Sequence, residues 1–193
     1  MKVRTATKED LLRILALGQT FGHQMSYQKD PTLMEKYLSR ILVTEEPVLK
    51  DDGSNALDSK YVGSQVVGFY HYIVSTDPGF AEMLRCYRQM PEYIIDQAIR
   101  IHKDTSIGDS GLCVIMQGGC HRDAFVEMVK YLQTYYSEIW CWNSITDPKA
   151  PSSKIQGYKD LGFRYKPGDQ SKFFNVHKGD FSTYCLGRWI RPN

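Results

Sequence analysis

The feature that most restricts what this chain can fold into is the run from Gly111 to Phe163. It reads as a short apolar stretch, a Gly-Gly pair, an amphipathic stretch, a second apolar stretch and then Tyr158-Lys159-Asp160-Leu161-Gly162-Phe163. Gly111-Leu112-Cys113-Val114-Ile115-Met116-Gln117 has a β-branched, apolar centre without polar alternation, as expected of a strand buried on both faces. Gly118-Gly119 predicts the end of that strand. From Arg122 to Tyr136, apolar residues fall at Phe125, Met128, Val129 and Leu132, the spacing of one helical face. Glu138-Ile139-Trp140-Cys141-Trp142-Asn143 places aromatics and a β-branched residue between polar flanks and predicts a strand. Two strands joined through a helix are generally parallel with a right-handed crossover, so the run is one βαβα unit.

The flanks supply the remaining elements. Val3 to Ala6 predicts a first strand, and Thr7 and Asp10 stand three apart as in a capping box, opening a helix that runs to about Gly22. Asp30-Pro31 is an N-cap followed by proline, and Met34, Tyr37, Leu38, Ile41 and Leu42 predict a second helix to about Leu42. Pro47 to Lys50 is a candidate strand, followed by turn chemistry and a hydrophilic loop to Lys60. Tyr61 to Val74 predicts a hairpin turning near Gly63-Ser64. Two helical stripes follow, Phe80, Met83, Leu84 and Tyr87, then Ile94, Ile95, Ala98, Ile99 and His102, interrupted by Pro91. After Phe163, two strands around a Gly168-Asp169 turn and a last strand over Thr183 to Arg191 complete the chain.

With 193 residues and 42% hydrophobic content, the chain has enough apolar material for one ordinary globular domain. Five cysteines at irregular spacing, none in a Cys-x-x-Cys pair, point to buried thiols in a reducing compartment; neither disulfides nor a metal site is expected. No apolar run approaches the roughly 18 residues of a membrane span, so a cytoplasmic protein without membrane contact is the expectation. A net charge of +2 neither demands nucleic acid as a partner nor rules it out.

Tyr158-Lys159-Asp160-Leu161-Gly162-Phe163 followed by a polar strand resembles the Tyr-x-x-Leu-Gly-Phe ending of the GNAT acyl-CoA N-acyltransferases. Lys2 to Leu11 is similar to that family's opening strand and capped helix, and Val67-Gly68-Phe69 to its third strand. The similarity covers residues 1–21, 61–75 and 111–177. It implies a single α/β (α+β) domain over residues 1–193 with a mixed, mostly antiparallel sheet of six or seven strands, a central parallel β4–β5 pair, flanking helices and a helical insertion at 79–103. Such an insertion could close over a substrate or pair with a second subunit in a homodimer. The family's Arg/Gln-x-x-Gly-x-Gly/Ala loop is represented by Gly119-Cys120-His121-Arg122-Asp123-Ala124, which keeps only the final small residue.

The resemblance implies transfer of an acetyl or other acyl group from acyl-CoA to an amine on a small molecule or a protein. It places the cofactor against Ile115, Gln117, Gly118, Gly119, Cys120, His121, Arg122 and Asn143, the acceptor near His23, Tyr27, Tyr70 and Tyr72, and the acid for the departing sulfur on Tyr158. A phenol with a pKa of about 10 is protonated at neutral pH, and amides at a helix start bind anions. His23, His71, Asp77 and His121 are candidate bases. Two alternatives remain: a binding or structural protein that keeps the fold without cofactor chemistry, and a nucleic-acid-modifying enzyme of the same fold.

Overall fold

The computed structural model describes residues 1–20, 31–49, 61–88, 92–103, 111–145, 153–175 and 180–193. Their strands are β1 (Lys2–Thr5), β2 (Ile41–Leu49), β3 (Tyr61–Val74), β4 (Leu112–Cys120), β5 (Glu138–Ile145), β6 (Arg164–Asn175) and β7 (Asp180–Ile190). The helices are α1 (Leu11–Thr20), α2 (Pro31–Lys36), α3 (Phe80–Arg88), α4 (Glu92–Lys103), α5 (Arg122–Tyr135) and α6 (Ser153–Asp160). The strands form a seven-stranded sheet in the order β1-β2-β3-β4-β5-β7-β6. β4 and β5 are parallel, while β1–β2, β2–β3, β5–β7 and β6–β7 are antiparallel. This is the expected mixed sheet with a parallel centre. The chain divides into two compact units, Met1–His71 with Gln117–Met128, and Tyr72–Met116 with Val129–Asn193.

In the first unit, the Thr7 N–H donates to Asp10 Oδ2 at 2.7 Å, and Arg4 grips both oxygens of the same carboxylate at 2.7 and 2.9 Å. Arg4 also reaches Glu45 Oε1 on β2 at 2.8 Å, so the capping box of the 3-10 turn Lys8–Asp10, which leads into α1, ties β1 to β2 as well. Two expectations are corrected here. The helix expected to reach Leu42 stops at Lys36, and Ile41 opens β2. Ile41, Leu42, Val43 and Thr44 are all buried between β1 and β3, so strand pairing on both sides overrides a short stretch of helical spacing. Pro47 is tolerated because β1 pairing ends at Glu45, leaving no partner strand to demand its N–H on that side.

The hairpin expected within Tyr61–Val74 is one continuous strand paired to β2. Gly63, at φ 143°, stands opposite Val48 where the register shifts, so this glycine marks an irregularity in the ladder and no turn. Gly68 has a different purpose. A Cβ there would lie 2.6 Å from the Cys120 Cβ and 3.1 Å from the Ala124 Cβ, so its bare backbone lets the start of α5 lie close on β3.

In the second unit, the apolar stripes of α3 (Phe80, Met83, Leu84) and α4 (Ile94, Ile95, Ala98) are buried as their spacing predicts. Arg188 of β7 stacks over the Trp140 ring at 4.5 Å, bonds both oxygens of Asp169 at 3.2 and 3.3 Å, and reaches Gln97 Oε1 of α4 at 2.7 Å. The two strands expected around Gly168-Asp169 are a single β6 with a bulge, because the register passes from Tyr165↔Gly187 directly to Gln170↔Cys185. Asp169 belongs to the bulged segment, and its partner is Arg188. Arg191 closes the C-terminus of α5 by donating from Nη2 to the carbonyls of Gln133, Thr134 and Tyr136 at 3.0, 2.9 and 3.1 Å. Among the described residues, no helix is long and apolar enough to cross a membrane.

Candidate active site

The expected turn at Gly118-Gly119 is absent, since β4 continues through both glycines to Cys120 and α5 begins at Arg122. A side chain at 118 would run into the Tyr70 ring, and its Cβ would lie 3.1 Å from the Phe69 carbonyl oxygen. The glycine is therefore required by packing inside the first unit. Tyr70 is buried, with its ring edge-on to Phe125 at 6.2 Å. His121, Arg122 and Asp123 are exposed and Cys120 is half-buried. The Phe125 N–H donates to the His121 carbonyl at 3.0 Å. Amides ahead of such a bond are those a helix cannot satisfy internally, and the dipole there is positive. Arg122 adds positive charge at this point and Asp123 subtracts it.

In the second unit, the parallel register runs from Leu112↔Glu138 to Ile115↔Cys141. Both strands outlast it, β4 to Cys120 and β5 to Ile145. Ile115, at the last paired position, is buried; the side chain of Gln117 lies outside the described residues.

Tyr158 is the third-last residue of α6, and the motif that contains it is a complete helix stop. The Phe163 N–H donates to the Tyr158 carbonyl at 3.1 Å and the Gly162 N–H to the Lys159 carbonyl at 3.0 Å, with Gly162 at φ 89°. These are the two bonds of a Schellman cap. The apolar contact that accompanies such a cap is the Tyr158–Phe163 ring pair, 4.9 Å apart and tilted by 65°. Tyr158 is buried. Leu161 accepts a bond at its carbonyl from Gln133 Nε2 at 2.9 Å, anchoring the turn to α5.

Asn143 lies on β5 beyond the parallel register. Its Oδ1 accepts the Tyr165 hydroxyl at 2.8 Å, and Tyr165 also lies 3.3 Å from Cys141 Sγ. Tyr165 belongs to β6 and Asn143 to β5, with β7 between them in the sheet. Tyr165 spans β7 at Gly187, where a Cβ would lie 2.5 Å from its ring and 2.7 Å from Cys141 Sγ. Burial, then the neighbouring Cys141, hold the Tyr165 phenol far above its ordinary range, and burial raises the Cys185 thiol to about 11. Sequence reasoning missed Tyr165. The available signal was Gly187, a residue without a side chain amid the bulky Tyr184 to Trp189, which flags close approach.

The other candidates are dispersed. His71 is buried with its ring 5.7 Å from Tyr37. Asp77 accepts the Val74 N–H at 2.8 Å and closes the turn after β3. Tyr72 is buried, edge-on to Tyr136 at 5.9 Å. His23 and Tyr27 lie outside the described residues. Among the described residues, no group of three or more His, Cys, Asp or Glu side chains could hold a metal ion.

A strand order of 1-2-3-4-5-7-6 with a parallel β4–β5 pair is the fold of the GNAT N-acetyltransferases, and the chain has that fold. No family model matches the chain, and no curated protein matches it in sequence. Solved structures match it in fold. A ribosomal-protein-alanine N-acetyltransferase from Brucella melitensis superposes with a TM-score of 0.54 at 12% identity, over 99% of this chain and 100% of that one. Arabidopsis thaliana NAA60, solved in complex with acetyl-CoA, gives 0.53 at 14% identity over 98% and 97%. A probable acetyltransferase from Staphylococcus epidermidis gives 0.56 at 10% identity over 99% of each chain.

Proposed function

We propose that this chain is an N-acyltransferase that carries an acetyl or related acyl group from acyl-CoA to an amine. The observation that carries the reading is the parallel β4–β5 pair, whose register ends at Ile115↔Cys141 while both strands run on, with α5 starting two residues past β4. Backbone amides at the start of α5 and the Arg122 guanidinium are suited to a diphosphate, because helix dipole and side-chain charge both favour an anion there. Cys120 and His121 flank that point, and Ile115, Gln117, Gly118 and Gly119 supply the strand backbone leading to it.

In the reaction, the neutral amine nitrogen attacks the thioester carbonyl carbon, and the tetrahedral intermediate collapses with cleavage of the carbon–sulfur bond. The ammonium proton passes to a base or to water, and the leaving thiolate takes a proton from the Tyr158 hydroxyl. No covalent bond to the protein forms. The acceptor is an amine on a protein or a small molecule.

A second reading, a binding protein that keeps the fold without this chemistry, is favoured by one observation: Gly118 is filled by Tyr70 instead of open to a ligand. Calorimetric titration with acetyl-CoA separates the two. The enzyme reading expects saturable binding that weakens on Arg122→Glu; the absence of heat at millimolar acetyl-CoA contradicts it.

A further inference from the structure

We infer that the outward face of α4 is a self-association surface: a second copy of this chain docks on it about a two-fold axis, with Asp96 of each copy against Arg100 of the partner subunit. The inference is independent of the acyl-transfer reading and concerns α3 and α4 of the second unit alone.

The spacing of its residues gives α4 two faces. Ile94, Ile95 and Ala98 are buried, and Arg188 of β7 bonds Gln97 Oε1 at 2.7 Å, so the helix is seated on the second unit along one side. Tyr93, Asp96, Gln97 and Arg100 follow at i, i+3, i+4 and i+7 and turn away from that stripe. Tyr93, Asp96 and Arg100 are exposed, and Tyr93, at 44%, puts an aromatic ring among the charges. Among the described residues, these side chains and Ile99 line a groove of about 540 Å³.

Charge changes sign along this face. Toward the start of α4, three carboxylates, Glu92, Glu82 and Asp96, act on one guanidinium, Arg85, which bonds both oxygens of Glu92 at 3.1 and 3.4 Å. That end is therefore acidic, and Arg100, one turn past Asp96, makes the other end basic. Four residues apart, Asp96 and Arg100 could pair within the helix. They do not: neither side chain has a hydrogen bond or an ion pair to any described residue. Both charges are left for a group outside the unit.

A surface acidic at one end and basic at the other fits its own copy turned end for end. A two-fold interface brings the same patch of both copies together. In an antiparallel helix pair whose axis is level with Ala98, position 96 faces position 100 of the copy, and the symmetry makes this ion pair twice. Parallel, in-register docking would instead set like charges together. Tyr93 and Ile99 supply apolar contact beside the charges. With 12 residues, α4 is about 18 Å long, a contact smaller than the roughly 800 Å² per partner of a stable complex, so the dimer is weak and reversible.

Sedimentation equilibrium of the full chain tests this. At about 0.5 mM protein and about 0.02 M salt, the wild type is expected to show a mass that rises with concentration toward that of a dimer. Most of that association should be lost at about 0.5 M salt, where screening reaches down to a few ångströms. Asp96→Arg makes the pair of positions basic in both copies, and Arg100→Asp makes it acidic in both. Each variant alone is expected to associate about tenfold more weakly than wild type, with its thermal midpoint unchanged because both positions are exposed. An equimolar mixture of the two variants is expected to restore the dimer, since a basic face then meets an acidic one. A wild type that stays monomeric at low salt overturns the inference, as do association indifferent to salt, association retained by either variant, and a mixture that stays monomeric. The salt series needs no substitution, so it decides the matter even where a variant is less stable.

Discussion

The backbone N–H of Phe163 donates to the carbonyl of Tyr158 while the two rings meet 4.9 Å apart, so the residue offered as the proton donor also terminates its own helix. One side chain thus has a packing part, its ring, and a chemical part, its hydroxyl. The two are separable by substitution. Tyr158→Phe preserves the ring contact and the cap; it is expected to lower turnover about 100-fold, within the range of general acid catalysis, with acetyl-CoA affinity and thermal midpoint little changed. Tyr158→Ala is expected to lower the thermal midpoint as well. Equal turnover by the Phe variant and wild type would remove the hydroxyl from the reaction.

Gly118 yields a stability prediction that is independent of function. Since Tyr70 is buried and its ring stands where a side chain would go, Gly118→Ala must displace the ring or β4. Overpacking of this kind costs about 1–3 kcal/mol, and urea unfolding of the variant measures it. Truncating the obstruction in the double variant Gly118→Ala/Tyr70→Ala should recover less than additive loss, because the clash is shared.

The Arg4–Asp10 pair predicts a pH dependence. Hydrogen bonds from the Arg4 guanidinium hold the Asp10 carboxyl below its ordinary value against the opposing effect of burial, and the Thr7 N–H adds to the lowering. A depressed folded-state pKa means the unfolded chain binds the proton more readily. The contribution is therefore fully present above the unfolded value of about 4 and is lost as pH falls through the folded one. Denaturant midpoints of the wild type should fall on acidification below about pH 4. Asp10→Asn should flatten that dependence and be less stable at pH 7 by about 1.5–3 kcal/mol.

Much of this architecture was legible in the residues because local and long-range demands agree. The α5 stripe, the buried centre of β4, the α3 and α4 faces and the Thr7/Asp10 capping box of the 3-10 turn ahead of α1 all have periodicity or capping that tertiary packing reinforces. Errors arose where one residue type serves two ends. Gly63, Gly118 and Gly168 suggested turns, yet Gly63 marks a register shift, Gly118 makes room for Tyr70, and Gly168 lies in the bulge of β6. Ile41 and Leu42 fit a helical stripe until their strand partners are known. The Asn143–Tyr165 bond could not be read at all, because it joins two residues 22 apart in the chain, on strands with a third between them. For Tyr158, the Tyr-x-x-Leu-Gly-Phe signature carries its own mechanical reason, a helix stop, beside the chemical one.

The central claim is that a diphosphate is held by the amides where α5 begins. Backbone amide resonances recorded during a titration with coenzyme A address it residue by residue. Saturable shifts centred on His121, Arg122, Asp123 and Ala124 are the predicted result. Amides at those four positions that stay unmoved at millimolar coenzyme A would contradict it.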